Sequence, residues 1–183
     1  MSDPPSPSNA LVWGQLPASN RRWIVVKAIG VTAAINLVLN AILASLGVEG
    51  RGAVPIWGVP LGEPSVFGSA IGTLFFLPLI TCLLVTAAIR RDVRVGSLES
   101  LAGLRSAHRW LAALPAARLK RGIAFGAISV VLLAPLLALA LFVADPAELS
   151  EGQFVACQTA LAVALGAIAT PAIALYAMAE PVH

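Results

Sequence analysis

The sequence predicts an all-α integral membrane protein, a four-helix bundle folded around a cytoplasmic loop. Three observations carry that prediction. Apolar residues make up 58% of the 183-residue chain and charged residues only 11%, whereas soluble domains carry about 25% charged residues. Four apolar runs are each long enough to cross a bilayer. Between the second and third runs lies the segment Arg90 to Gly122, which holds eight of the twelve basic residues. Lys and Arg beside a span stay on the cytoplasmic side, so this segment is placed inside and the two chain ends with it. A mean hydropathy of +0.89 leaves too little polar surface for a soluble protein of this size. The net charge of +3 reflects the basic loop and is no signal for nucleic acid.

Residues 1–20 are rich in Pro and Ser and read as a flexible cytoplasmic tail. They lack the basic start of a secretory signal. The remainder, residues 21–183, reads as one membrane domain. Arg21 and Arg22 hold the start of the first span inside. That span covers about Trp23 to Leu46 and reaches roughly 36 Å at 1.5 Å per residue, enough to cross with some tilt. Lys27 lies one turn in and snorkels to the interface. Thr32, Asn36, Asn40 and Ala44 recur every fourth residue, so they form one polar, small-residue stripe facing other helices.

Gly47 to Ser65 carries five glycines and three prolines, which forbid a regular helix. Its centre is nonetheless apolar, so it is expected to lie on the outer membrane surface with Trp57 at headgroup level. It caps the helix ends or, with Pro55 and Trp57, forms a lid over a cavity. The second span covers about Val66 to Ile89. Gly68 and Gly72 form a GxxxG pair that permits close helix approach. Pro78 removes one backbone bond, and Thr81 or Cys82 is placed to answer the freed carbonyl.

Within the central loop, Leu98 to Leu114 reads as an amphipathic helix on the inner leaflet, with Ser97 as N-cap and Pro115 as stop. Leu101, Leu104, His108, Leu111 and Leu114 share one face, and Arg105 and Arg109 another. The eight basic residues Arg90, Arg91, Arg94, Arg105, Arg109, Arg118, Lys120 and Arg121 are expected to meet anionic lipid headgroups. The third span covers about Ile123 to Ala144, with a second GxxxG pair at Gly122 and Gly126 and a proline at 135. Asp145, Glu148 and Glu151 form a short acidic outer loop. The fourth span, about Phe154 to Ala179, is rich in Ala and contains Pro171. Glu180 to His183 are read as a short cytoplasmic tail. Spans one and two, and spans three and four, pair as hairpins.

Depth counting along the spans brings six neutral polar groups into one layer in the outer leaflet: Asn36, Asn40, Ser69, Thr73, Gln158 and Thr159. They read as interhelical hydrogen bonding or as a polar cavity open to the outside. No span contains an Asp or Glu, so a proton- or sodium-coupled pump would lack its relay. No metal-ligand spacing, paired acids or Ser-His or Cys-His set appears, and neither Cys82 nor Cys157 has a partner at matching depth. Catalysis, cofactor and metal are therefore not expected.

The segments VPIWGVPL and TLFFLPLITCLLVTAAIRRDVRVG resemble a loose group of bacterial four-span proteins of unknown function. The shared features are a Pro-Leu/Ile-Trp-Gly outer loop, a Leu-Pro in the second span and a basic stop after it. The resemblance covers roughly residues 30 to 96, implies a bacterial inner membrane and brings no activity. The resulting expectation is a non-catalytic accessory or assembly subunit, packing by small-residue faces against other membrane subunits or against itself. The alternative is a transporter that binds a small solute or lipid in the polar layer.

Overall fold

The computed structural model describes residues 16–58, 63–101 and 113–180. Four long helices dominate it: α1, Ala18–Val48; α2, Val66–Arg94; α3, Arg118–Ala144; and α4, Glu151–Met178. Each is long and apolar enough to cross a membrane. Two short strands, β1 (Ala53–Pro55) and β2 (Glu148–Ser150), pair antiparallel.

Every helix is longer than the apolar run that marks it; in α2 and α3 the added residues include Arg, Lys and Leu, which are good helix formers. Thus α3 begins at Arg118 and α2 runs to Arg94. Gly96, at φ +73°, turns the chain out of α2 in the left-handed conformation that favours glycine. Ser65 caps α2 by accepting the Gly68 N–H at 3.1 Å. A capping box starts α4: the Ser150 hydroxyl accepts the Gln153 N–H, and the Gln153 side chain accepts the Ser150 N–H. Within α1, Ile24–Val31 is a π-helix. The Lys27 carbonyl accepts both the Thr32 N–H and, at 3.2 Å, the Thr32 hydroxyl at the end of this turn.

Packing runs in the order α1 on α4, α4 on α2, and α2 on α3. Chain neighbours α1 and α2 touch only marginally, as do α3 and α4. The expected hairpins are therefore hairpins of connectivity, and the packing partners come from opposite halves of the chain. The physical reason lies in α4, the most buried of the four. Its Ala and Gly residues let a helix approach on each side. Gly122 and Gly126 do the same for α3. A Cβ at Gly122 would stand 3.1 Å from the Leu79 carbonyl oxygen, and one at Gly126 2.6 Å from that of Phe75.

Each end of the molecule has its own apolar cluster. At the basic end, Trp23, Ile24 and Ala28 pack with Ile89, Leu98, Ala174 and Met178. Leu16 joins this cluster and Asn20 is fully buried. Residues 16–20 are thus part of the packed structure, and α1 starts inside the expected tail. The Asn20 amide donates to the Glu99 carbonyl at 2.9 Å and its oxygen accepts the Glu99 N–H at 3.3 Å. At the opposite end, Val54 and Ile56 bury themselves against Val48, Val66 and Phe154. The Pro- and Gly-rich loop therefore seals the helix ends. Glu151, expected in an acidic loop, begins α4 and accepts the Gly52 N–H at 2.8 Å.

Two expectations change. Ser97 does not cap a helix at Leu98. Its hydroxyl donates to the Asp92 carbonyl at 2.9 Å, and Leu98 to Leu101 are non-helical. The Leu101 N–H instead bonds the Met178 carbonyl at 2.9 Å. Residues 102–112 of that amphipathic stretch, with Arg105, His108 and Arg109, lie outside the described residues. Nor does Cys82 answer the carbonyl freed by Pro78: its thiol faces the Arg118 carbonyl at 3.8 Å, across the α2–α3 contact.

Candidate functional site

Because α1 and α2 both lean on α4 and meet each other only at the basic end, through Trp23 and Lys27 on Asp92, a cleft of about 420 Å³ remains between them toward the strand end. Asn36, Leu39, Asn40 and Leu43 form the α1 wall. Ser69, Thr73, Phe76 and Ile80 are among the residues of the α2 wall, with Glu63 and Pro64 at the end nearest the strands. A recess of about 230 Å³ shares Asn40, Ser69 and Thr73 with the cleft and is backed by Gln158 and Phe154. Helical spacing orders the α2 wall by polarity. Ser69 and Thr73 lie toward the strand end, and Phe76 and Ile80 follow one to two turns deeper.

Five of the six residues expected in the polar layer come together at this cleft, but two of them serve structure first. The Asn36 amide donates to the Ala162 carbonyl at 3.4 Å and presses on Gly166, joining α1 to α4. The Gln158 amide donates to the Ser69 carbonyl at 3.1 Å and to the Thr73 hydroxyl, joining α4 to α2. Asn40 is half-buried and donates only to the Asn36 carbonyl of its own helix at 3.0 Å. Its side-chain oxygen and the Ser69 hydroxyl have no partner among the described residues. Those two groups are the unspent hydrogen-bonding capacity of the cleft. Thr159 is buried away from the cleft lining, its hydroxyl without a partner.

The expected lid differs. Pro55 belongs to β1, and Trp57 stacks on Phe67 with ring centroids 5.3 Å apart. Neither lines the cleft; Glu63 and Pro64 hold that position. The apolar loop is drawn instead to the gap between helix ends, where Val54 and Ile56 find an apolar cluster.

A second site was invisible in the sequence. Arg121, expected among lipid headgroups, is fully buried. It pairs with Glu180, donates to the Thr86 hydroxyl at 3.1 Å and stacks over the Tyr176 ring at 4.3 Å. Arg90 reaches the other Glu180 oxygen at 3.0 Å. Glu180 is therefore no solvated tail residue: it closes an ion-pair cluster among α2, α3 and the end of α4. The Tyr176 hydroxyl completes this corner by donating to the Leu114 carbonyl at 3.0 Å. Gly122 marks the contact face of α3, but Arg118, four residues before it, shares that face, so no sequence signal sets Arg121 apart from Arg118 and Lys120. The latter two are exposed, as are Arg91 and Arg94. Arg105 and Arg109 lie outside the described residues.

Among the described residues no three His, Cys, Asp or Glu side chains come together as a metal site, and Cys82 and Cys157 are both free thiols. Neither a family model, nor a curated protein, nor a solved structure matches this chain.

Proposed function

We propose that this is a non-catalytic protein of the bacterial inner membrane that holds an amphipathic, lipid-class molecule in the cleft between α1 and α2. The observation that carries this reading is the polarity gradient along the α2 wall of the cleft. Ser69 and Thr73 stand near the strand end, with Asn40 on the facing wall, and Phe76, Leu77 and Ile80 offer apolar contact beyond them. A molecule with a polar head and an apolar body satisfies both parts at once. Asn40 and Ser69 are only part-buried, so a guest that pairs these groups gains about 0.5–1.5 kcal/mol per hydrogen bond over an all-apolar one. The clustering of Arg and Lys at one end supports both termini being cytoplasmic and the polar part of the cleft facing the outer leaflet.

The test is purification in mild detergent, followed by mass spectrometry of bound small molecules for the wild type, Asn40→Leu and Ser69→Ala. The wild type is expected to retain an amphipathic molecule near one per chain. Both variants are expected to lose it, with unchanged thermal unfolding. Asn36→Leu is a poor probe, because it also breaks the α1–α4 contact. Equal retention by wild type and variants would sink the reading.

One observation favours a second reading, an accessory or assembly subunit. Gly72 faces open space, with nothing within 4 Å of where a Cβ would sit. A helix of another subunit, or of a second copy, fits against such a face. In that case the same purification yields a stoichiometric protein partner or a homo-oligomer, and no small molecule.

A further inference from the structure

At the basic end, α1 and α2 approach again around a second cavity of about 420 Å³, lined by Ser19, Arg22, Lys27, Asp92 and Ser97, with Val26 on its apolar side. Asp92 anchors it. Its Oδ2 accepts the Trp23 indole N–H at 2.7 Å and the Lys27 ammonium at 2.8 Å. The Asp92 charge is thereby met within the protein, and the Lys27 ammonium keeps further N–H groups, being 54% exposed. Arg22 is exposed and makes no ion pair among the described residues. The cavity therefore carries one cation in excess, on a guanidinium whose planar fork suits phosphate oxygens. Val26, 52% exposed and one turn further into the apolar run, offers the surface an acyl chain needs.

We infer that this cavity is a headgroup site for an anionic glycerophospholipid, of the phosphatidylglycerol class, in the leaflet at the Arg-rich end of the helices. The phosphodiester would lie between Arg22 and Lys27, and the chains along Val26. Phosphatidylcholine fits less well, since its fixed quaternary ammonium offsets the phosphate charge. The site uses none of the eight basic residues of the segment Arg90 to Gly122 and shares no residue with the other cleft.

Native mass spectrometry of the detergent-purified full chain, titrated with equimolar phosphatidylglycerol and phosphatidylcholine of the same chains, tests it. Arg22→Gln alters an exposed side chain, so folding is expected to be retained. It should weaken the phosphatidylglycerol adduct about fivefold, the order expected from one membrane-proximal cation. Arg94→Gln, which changes an exposed cation outside the cavity, should leave the adduct unchanged. Asn40→Leu should leave it unchanged too, which separates this site from the cleft. An excess of inorganic phosphate should not displace the lipid. Equal weakening by Arg22→Gln and Arg94→Gln, no preference over phosphatidylcholine, or displacement by inorganic phosphate would each overturn the assignment.

Discussion

Arg121 shows how much a single side chain in this molecule depends on its neighbours. A buried guanidinium is costly unless its charge and its N–H groups are met. Here Glu180 meets the charge, Thr86 and Tyr176 occupy two further sides, and Arg90 balances the second Glu180 oxygen, while the Arg121 Nε is left without a hydrogen-bond partner among the described residues. Removing one partner of a buried pair leaves the other uncompensated, a loss of about 3–5 kcal/mol. Glu180→Gln and Arg121→Met are each expected to destabilise by that order, read as a lower thermal unfolding midpoint in detergent. The double substitution should recover much of the loss, because it removes both charges together. Independent, additive effects would show that the pair is not coupled. In the sequence Arg121 is one of three cations in Arg118 to Arg121, and nothing in its spacing from Glu180, 59 residues away, announces the contact.

At the scale of the elements, two GxxxG pairs of identical pattern have different fates. Gly122 and Gly126 are seated against the α2 backbone, whereas Gly72 opens onto the cleft. Gly126→Ala must push α3 away from the Phe75 carbonyl or strain the contact, with an expected loss of about 1–3 kcal/mol. Gly72→Ala meets empty space and should be neutral or slightly stabilising, since Ala forms helix more readily by about 1 kcal/mol. Unfolding midpoints of the two variants, measured side by side, check the contrast. A large loss at Gly72 with none at Gly126 would reverse the assignment of the α2–α3 contact. The caps at Ser65 and Ser150 form no part of the sequence expectations, although Ser65 precedes an apolar run and Ser150 with Gln153 has the spacing of a capping box. The π-helix in α1 has no such local signature: its residues Ile24–Val31 read as ordinary apolar helix.

For the whole molecule, the test is orientation. A reporter fused after Leu114 is expected to be active on the cytoplasmic side, and one fused after Glu148 on the periplasmic side. The opposite result would invert the molecule and move the polar part of the cleft to the inner leaflet. The packing order α1–α4–α2–α3 would survive either outcome, because it rests on side-chain fit. That order also explains why the cleft exists. Two helices that both pack on α4, with Asn36 and Gln158 as the bridging amides, are held apart from each other beyond their contact at Asp92.

The number and approximate place of the apolar helices were determined by the sequence alone. Burying or crossing with an apolar run is a local property, readable from composition and length. So was the common level of Asn40, Ser69, Thr73 and Gln158 along the helices, with Asn36 one turn away, since helical rise converts residue count into height. Which helix packs on which was decided only in the tertiary structure, because it depends on Gly and Ala faces meeting particular backbones across the chain. The division of the polar residues was settled there too: Asn36 and Gln158 spend their hydrogen bonds between helices, while Asn40 and Ser69 keep theirs. Height along a helix is one-dimensional and survives in sequence, but the direction in which a side chain finds its partner does not.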